Sequence, residues 1–359
     1  MIHGGMCDSK VNIDFSVNLN PLGTPKEVLK GISEGVKRLG EYPEYSQSSL
    51  REALGRLEGI SADEVVAGNG ASELIMAVVR AVNPKKAVLI EPGFYGYRHA
   101  LNSLPECSIE EVRLMPENDF KIDIDKVNIS LIDADILFIS QPWNPTGYCI
   151  EENELERILE RAAQEGCAVV LDQSFIMLSN DYNVVYINNI KEILERYDNV
   201  YIIRSFTKLM AIPGVRIGYI MSTENNIHKI CGQLGEWNVS QVADYAAREC
   251  VRTIIETDFL KATHNYVNQE REYLTKSLKH MGIRVYDSST VYIMFNEKQE
   301  LFDKLLDRGI LIRDCKSFKG LENGYYRIAV KDHESNVRLI EAINEIRTCK
   351  TRRDREAQL

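Results

Sequence analysis

Between residues 64 and 221, short apolar runs alternate with stretches whose apolar residues recur every three or four positions. EVVAG (64–68), KAVLIEP (86–92), DILFIS (135–140), CAVVLD (167–172), NVYIIRS (199–205) and RIGYIM (216–221) read as strands, several of them apolar on both faces. ASELIMAVVRAV (71–82) and ENELERILERAAQEG (152–166) read as amphipathic helices, the second with opposite charges at i,i+4 spacing. Buried strands separated by helices predict an α/β fold whose mostly parallel sheet is covered on both faces.

The flanks read differently. Residues 24–59 predict two helices joined by a tyrosine-rich turn, EYPEYSQSS. A helical stretch runs from about residue 223 to 281, and after it RVYD, TVYIMFN, ILIRD and YYRIAV are interleaved with KQELFDKLLDRG and a last helix at 335–348. This pattern predicts a smaller α+β domain. The expected division is a segment 1–40 packing with the small domain, a large domain 41–245 and a small domain 246–359.

Composition narrows the function classes. The 359 residues carry a net charge of −10, which offers no electrostatic footprint for nucleic acid or an anionic membrane. No apolar run reaches the about 18–20 residues that cross a bilayer, and MIHGGMCDSK lacks the features of a secretory signal, so a cytoplasmic protein is expected. The eight cysteines are scattered without a CxxC pair, which suits free thiols. The six histidines form neither HxxxH nor HExxH, so no metal site is expected.

In open α/β sheets, ligands gather outside the carboxyl ends of the strands. GNGASE (68–73) opens a helix after a strand, where glycines and unpaired N–H groups suit an anion; a plain glycine-rich turn is the alternative. Glu73 stands where a dinucleotide loop would carry its third glycine, which disfavours a nicotinamide oxidoreductase. QPWNPTGYC (141–149) places Asn144 in a rigid proline-rich turn, as a ligand contact or as a turn residue. LDQSF (171–175) ends a strand on Asp172, which either caps the next helix or meets a cation such as a protonated heterocyclic nitrogen. SFTKLMAIPGVRIGY (205–219) sets Lys208 among hydroxyls and apolar residues, and a desolvated lysine attacks aldehydes. Ser205, Thr207 and Arg216 could surround a phosphate. One phosphate, one aldehyde, one ring nitrogen and one ring hydroxyl together describe pyridoxal 5′-phosphate.

SxTK followed by RxGY, with NPTG and a strand-final aspartate upstream in that order, resembles the class I/II aminotransferase family, fold type I of the pyridoxal-phosphate enzymes. The resemblance runs essentially end to end. It implies Lys208 as the Schiff-base lysine and catalytic base, and Asp172 as the partner of the pyridine nitrogen. Asn144 would meet the ring 3-oxygen, and Ser205, Thr207, Arg216 and the amides of Gly70, Ala71 and Ser72 would hold the phosphate. Phe94, in EPGFYGY, matches the residue that stacks on the ring, with Tyr97 near enough to compete. Arg327, in YYRIAV, matches the arginine that binds the substrate carboxylate. A homodimer with shared active sites is implied, Tyr42 being the candidate that reaches the other chain's phosphate. Within the family, the sequence is most similar to the L-threonine-O-3-phosphate decarboxylases of the cobalamin pathway, with histidinol-phosphate aminotransferases next. HGG (3–5) and DFSVNLNPLG (14–23) resemble the decarboxylases' substrate loop, giving His3 and Asn18. ILIRDC (310–315) resembles their second arginine segment, giving Arg313, and Phe175 fills a position where the aminotransferases carry tyrosine. The implied substrate is a small phosphorylated amino acid. Two residues depart from the family pattern: Trp143, expected beside the cofactor, and Gln173 in place of glutamate. A non-catalytic regulator is disfavoured, because the chain carries no added basic DNA-binding segment.

Overall fold

The computed structural model describes residues 11–179 and 189–356, with side chains to residue 348. Its centre is a seven-stranded sheet in the order β2-β8-β7-β6-β5-β3-β4. The strands are β2 (Val65–Gly68), β3 (Lys86–Glu91), β4 (Ser108–Arg113), β5 (Ile136–Ser140), β6 (Ala168–Asp172), β7 (Val200–Ser205) and β8 (Gly218–Met221). β8 runs antiparallel to both its neighbours, and the other pairs are parallel. Alternation within each strand feeds two cores. Leu137 and Ile139 of β5 join one hydrophobic cluster, while Ile136 and Phe138 join the other.

A second sheet, β12-β13-β10-β9, is antiparallel and comprises β9 (Arg284–Val285), β10 (Tyr292–Asn296), β12 (Arg313–Asp314) and β13 (Tyr325–Ala329). Near the N-terminus β1 (Ile13–Asp14) pairs in parallel with β11 (Ile310–Leu311). Phe15 O then accepts from Ala329 N at 2.8 Å, and Asn20 N donates to Lys208 O at 3.0 Å. Asn20 Nδ2 also donates to Leu209 O and Thr263 Oγ1, each at 2.9 Å. Residues 13–20 therefore tie the second sheet to the loop that carries Lys208.

The helical stretch expected over 223–281 is three helices, Glu224–Cys231, Gln241–Glu256 and Phe259–His280. The glycine-containing segment 232–240 ends the first, and Ser240 caps the second by accepting from Ala243 N. The last expected strand starts at Gly218 rather than residue 216, because Arg216 adopts φ +61° and breaks the extended run. Among the described residues no helix is long and apolar enough to cross a membrane.

Candidate active site

The carboxyl ends of β2, β5, β6 and β7 and the start of β8 open onto a cavity of about 250 Å³. Its walls bring together residues far apart in the chain: Asn18, Ala71, Ser72, Phe94, Asn144, Asp172, Phe175, Ser205, Thr207, Lys208, Arg216 and Arg327. Gly70 is not itself in the cavity wall but precedes the lining Ala71 as N-cap of the helix Ala71–Val82, with φ +83°. It provides no side-chain cap, so the first-turn N–H groups face an incoming anion without a competitor. A Cβ at Gly70 would lie 2.5 Å from Arg216 Nη2, so glycine is what lets the guanidinium lie against this turn. Arg216 itself donates to Pro213 O at 3.2 Å. Glu73, which replaces the third glycine of a dinucleotide loop, accepts from Asn69 N (2.6 Å) and from Asn238 Nδ2 (2.8 Å).

Lys208 lies in the short helix Phe206–Leu209, capped by Ser205, whose Oγ accepts from Thr207 N. Burial pushes the ammonium pKa down to about 8; Arg327 and Arg216 push the same way and Asp172 opposes them. This places a partly neutral amine, the form that attacks aldehydes, in the cavity near physiological pH. Its Nζ stands 5.9 Å from the centre of the Phe175 ring.

Asp172 accepts from Tyr97 Oη at 2.8 Å and from Ser174 N at 3.0 Å. Tyr97 is fully buried, stacked on Phe138 with centroids 4.9 Å apart, and burial, then the Asp172 charge, keeps its hydroxyl protonated. Phe94, not Tyr97, lines the cavity, and the two rings meet edge-on at 5.4 Å. Tyr97 is thus a positioning residue for Asp172. Tyr97→Phe is expected to cost the apoprotein about 1.5–3 kcal/mol, the worth of a hydrogen bond to a charged group, and to weaken cofactor binding. Urea denaturation and equilibrium dialysis of pyridoxal phosphate would show both changes, and wild-type values in both would remove this role.

Arg327 and Arg313 are register partners on the adjacent strands β13 and β12. Both are buried, which lowers both pKa values, and Arg313 adds to the effect on Arg327. Like charges directly opposite each other in a sheet destabilise it. Arg327 donates to neutral acceptors, Asn144 Oδ1 at 2.5 Å and Ser16 O at 3.3 Å. Arg313 donates to Ser317 Oγ at 2.7 Å and lines a second chamber of about 260 Å³. Phe94, Asn144 and Arg327 line both chambers.

One sequence expectation lies elsewhere, and two are not tested by this one chain's described residues. Trp143 does not face the cavity: it is buried in the core, and its Nε1 donates to Pro92 O at 2.8 Å because the indole needs an acceptor there. Tyr42 is 80% exposed and lies outside both chambers. His3 lies outside the described residues. Gln173, the other departure, joins a buried network: Arg204 Nε donates to Gln173 Oε1 (2.9 Å) and Arg204 Nη1 pairs with Glu58 (2.6 Å). Glu58 supplies the charge that the residue after Asp172 does not. Ser16, Val17, Ser140 and Ser174 also line the cavity and were not singled out in the sequence. Ser140 and Ser174 flank strand ends, which was a usable signal.

Among the described residues, the buried Asn18 Oδ1, Ser174 Oγ and Arg327 Nε have no hydrogen-bond partner, and all three residues are in the cavity wall. Such orphans mark a place for a polar ligand. An uncapped helix start with Ser72, Ser205, Thr207 and Arg216 suits a phosphate, and Phe94 is an aromatic face beside it. With Oδ1 engaged by Arg327, the Asn144 amide nitrogen is the donor a ring oxygen needs. Asp172 suits a protonated ring nitrogen and Lys208 an aldehyde. The residues fit pyridoxal 5′-phosphate. Among the described residues no cluster of His, Cys, Asp and Glu suits a metal ion.

Fold and cavity together place the protein among the fold type I enzymes that use pyridoxal phosphate. The chain belongs to the aminotransferase class I and II family, whose profile matches residues 10–343. It is 28% identical to the threonine-phosphate decarboxylase of Salmonella typhimurium, over 94% of this chain and 91% of that one. It is also 28% identical to the histidinol-phosphate aminotransferase of Methanosphaera stadtmanae, over 93% and 90% of the two chains. The crystal structure of the histidinol-phosphate aminotransferase from Clostridium acetobutylicum superposes with a TM-score of 0.84 at 28% identity, covering 93% of this chain and 98% of that one.

Proposed function

We propose that the protein is a pyridoxal-phosphate-dependent carboxy-lyase that converts a small O-phospho amino acid, such as L-threonine O-phosphate, to the corresponding amine and carbon dioxide. The observation that carries this reading is the pair of buried arginines facing each other across β12 and β13. Two such cations are stabilised by a ligand with two anionic ends, one beside Asn144 and one in the second chamber. A phospho amino acid has a carboxylate and a phosphate; histidinol phosphate has no carboxylate, so in the aminotransferase alternative only the keto acid carries two anionic ends. Phe175 adds support, because it withholds from the cavity the phenol that the related aminotransferases carry.

In this reading Arg327 binds the carboxylate and Arg313 the phosphate. Bound pyridoxal phosphate supplies an aldehyde and an electron-withdrawing ring that weakens the bonds at the substrate α-carbon. Lys208 provides the amine that holds it and, with a pKa of about 8, gives or takes a proton close to neutral pH. Asp172, aligned by Tyr97 and Ser174 N, holds the proton at the ring nitrogen. The segment Ser16–Asn18 covers the cavity beside Arg327 and helps to exclude water.

The active unit in this reading is a homodimer in the cytoplasm. Tyr42 and Tyr45 pack on Trp237 with centroids 4.9 and 5.6 Å apart, and all three are exposed, a cluster that suits an interface between two copies. Tyr42 would then be available to the other chain's phosphate. We also propose a smaller unit that holds the second sheet and the N-terminal strand, which the pairing of β1 with β11 supports; the expected division near residue 245 falls within the helix Gln241–Glu256.

Incubated with L-threonine O-phosphate and no keto acid, the holoenzyme is expected to release carbon dioxide continuously, measured manometrically or with a carboxyl-labelled substrate. Turnover that starts only when 2-oxoglutarate is added would instead establish the aminotransferase, the alternative for which the histidinol-phosphate enzymes speak.

A further inference from the structure

The second chamber carries more positive charge than Arg313 alone. Arg98, Arg313, Lys319 and Arg327 line it, with Glu91 as a lining carboxylate. The four cations are not equivalent. Arg98 is paired twice, with Glu91 at 2.8 Å and Glu111 at 2.7 Å, so its charge is already matched. Arg327 opens onto the cofactor cavity and is assigned to the carboxylate. Arg313 reaches this chamber from β12, and Lys319 reaches its rim while paired with Glu111.

Arg313, Ser317 and Lys319 come from one short stretch. β12 delivers Arg313, and the 3-10 turn Cys315–Ser317 follows and returns the chain to the chamber. Ser317 Oγ accepts from Arg313 Nη2, which leaves the hydroxyl proton for an anion. Lys319 is half-exposed at the rim, and its ammonium bonds Glu111 of β4, in the other sheet. Glu111 thus tethers a flexible cation at the chamber mouth. A phosphate monoester near neutral pH bears close to two charges and three acceptor oxygens. Arg313 supplies a planar fork, Ser317 a hydroxyl and Lys319 a mobile point charge, a set that matches those oxygens.

We propose that Lys319 is a specificity-determining residue, the second cation of a phosphate site formed with Arg313 and Ser317, and that it exchanges Glu111 for the substrate's phosphate. The proposal rests on the phospho amino acid reading above, which names the compound class but assigns Lys319 no part.

The test uses pyridoxal-phosphate-loaded enzyme and rapid-mixing absorbance titrations with L-threonine O-phosphate and with L-threonine. The readout is the ratio of their half-saturating concentrations. Wild type is expected to favour the phosphorylated compound. Lys319→Met is expected to lose about 10–100-fold of that preference, the equivalent of one hydrogen bond to a charged group, with L-threonine binding unchanged. Lys319→Arg should restore most of it, and added salt should erode the wild-type preference more than that of Lys319→Met. A preference that survives in Lys319→Met overturns the role of Lys319 and leaves the substrate reading standing. A wild-type enzyme with no preference overturns the substrate reading and, with it, this proposal.

Discussion

Lys208→Ala is expected to abolish covalent attachment of the cofactor and to reduce turnover by at least about 10⁴-fold, because one change removes both the nucleophile and the proton carrier. Borohydride treatment followed by intact-mass measurement reads the first effect: wild type should gain the reduced cofactor's mass and the variant should not. A variant that still carries the adduct, or turns over at the wild-type rate, would overturn the assignment of Lys208. The same residue ties stability to pH. Its pKa is about 8 in the folded protein, below the ordinary 10.5. Between those values the unfolded chain holds a proton that the native one does not, so the contribution of Lys208 to stability rises with pH across that window. Below about pH 8 the full penalty applies, on the order of 3 kcal/mol. Lys208→Met keeps most of the apolar stem, so apoprotein carrying it should melt above wild type at pH 7. The gap should close as the pH is raised towards 10.

Asp172→Asn should have the next largest effect. The amide fills the same space and can still accept from Tyr97, but it carries no charge to hold a proton on a ring nitrogen. Breaking a buried ion pair costs about 3–5 kcal/mol, so kcat/KM is expected to fall by between about 10² and a few times 10³, with much weaker cofactor binding. Asp172 also raises the Lys208 pKa, so the variant's pH–rate profile should shift to lower pH. A kcat/KM within tenfold of wild type would sink the ring-nitrogen assignment.

Much of this site was readable in the sequence because strand ends in a parallel sheet share one edge. Continuous apolar runs marked β3, β5, β6 and β7, and each was followed by a stretch with unusual polar, glycine or aromatic residues. β4 escaped notice. SIEEVR is an edge strand, mostly polar, and its partner β3 stabilises it through backbone bonds rather than burial. The facing arrangement of Arg313 and Arg327 was equally hidden, since register is decided by the fold and not by local pattern. Trp143 misled for a related reason. Its neighbour Asn144 faces the cavity, and successive side chains in a tight turn need not point the same way. Gln173 looked like a lost charge until Glu58, 146 residues from Arg204, was found to provide it.

The N-terminal strap has a practical bearing on how the enzyme could be re-engineered. Through Asn20 it grips the backbone of Lys208, and through Phe15 and Ser16 it grips the strand of Arg327. Lys208 and Arg327, the proposed reactive amine and carboxylate anchor, therefore share a common brace, and on that proposal grafting a different amino-acid preference onto this scaffold means transplanting residues 13–20 together with β13. Swapping either alone would leave old and new halves of the catalytic geometry out of alignment.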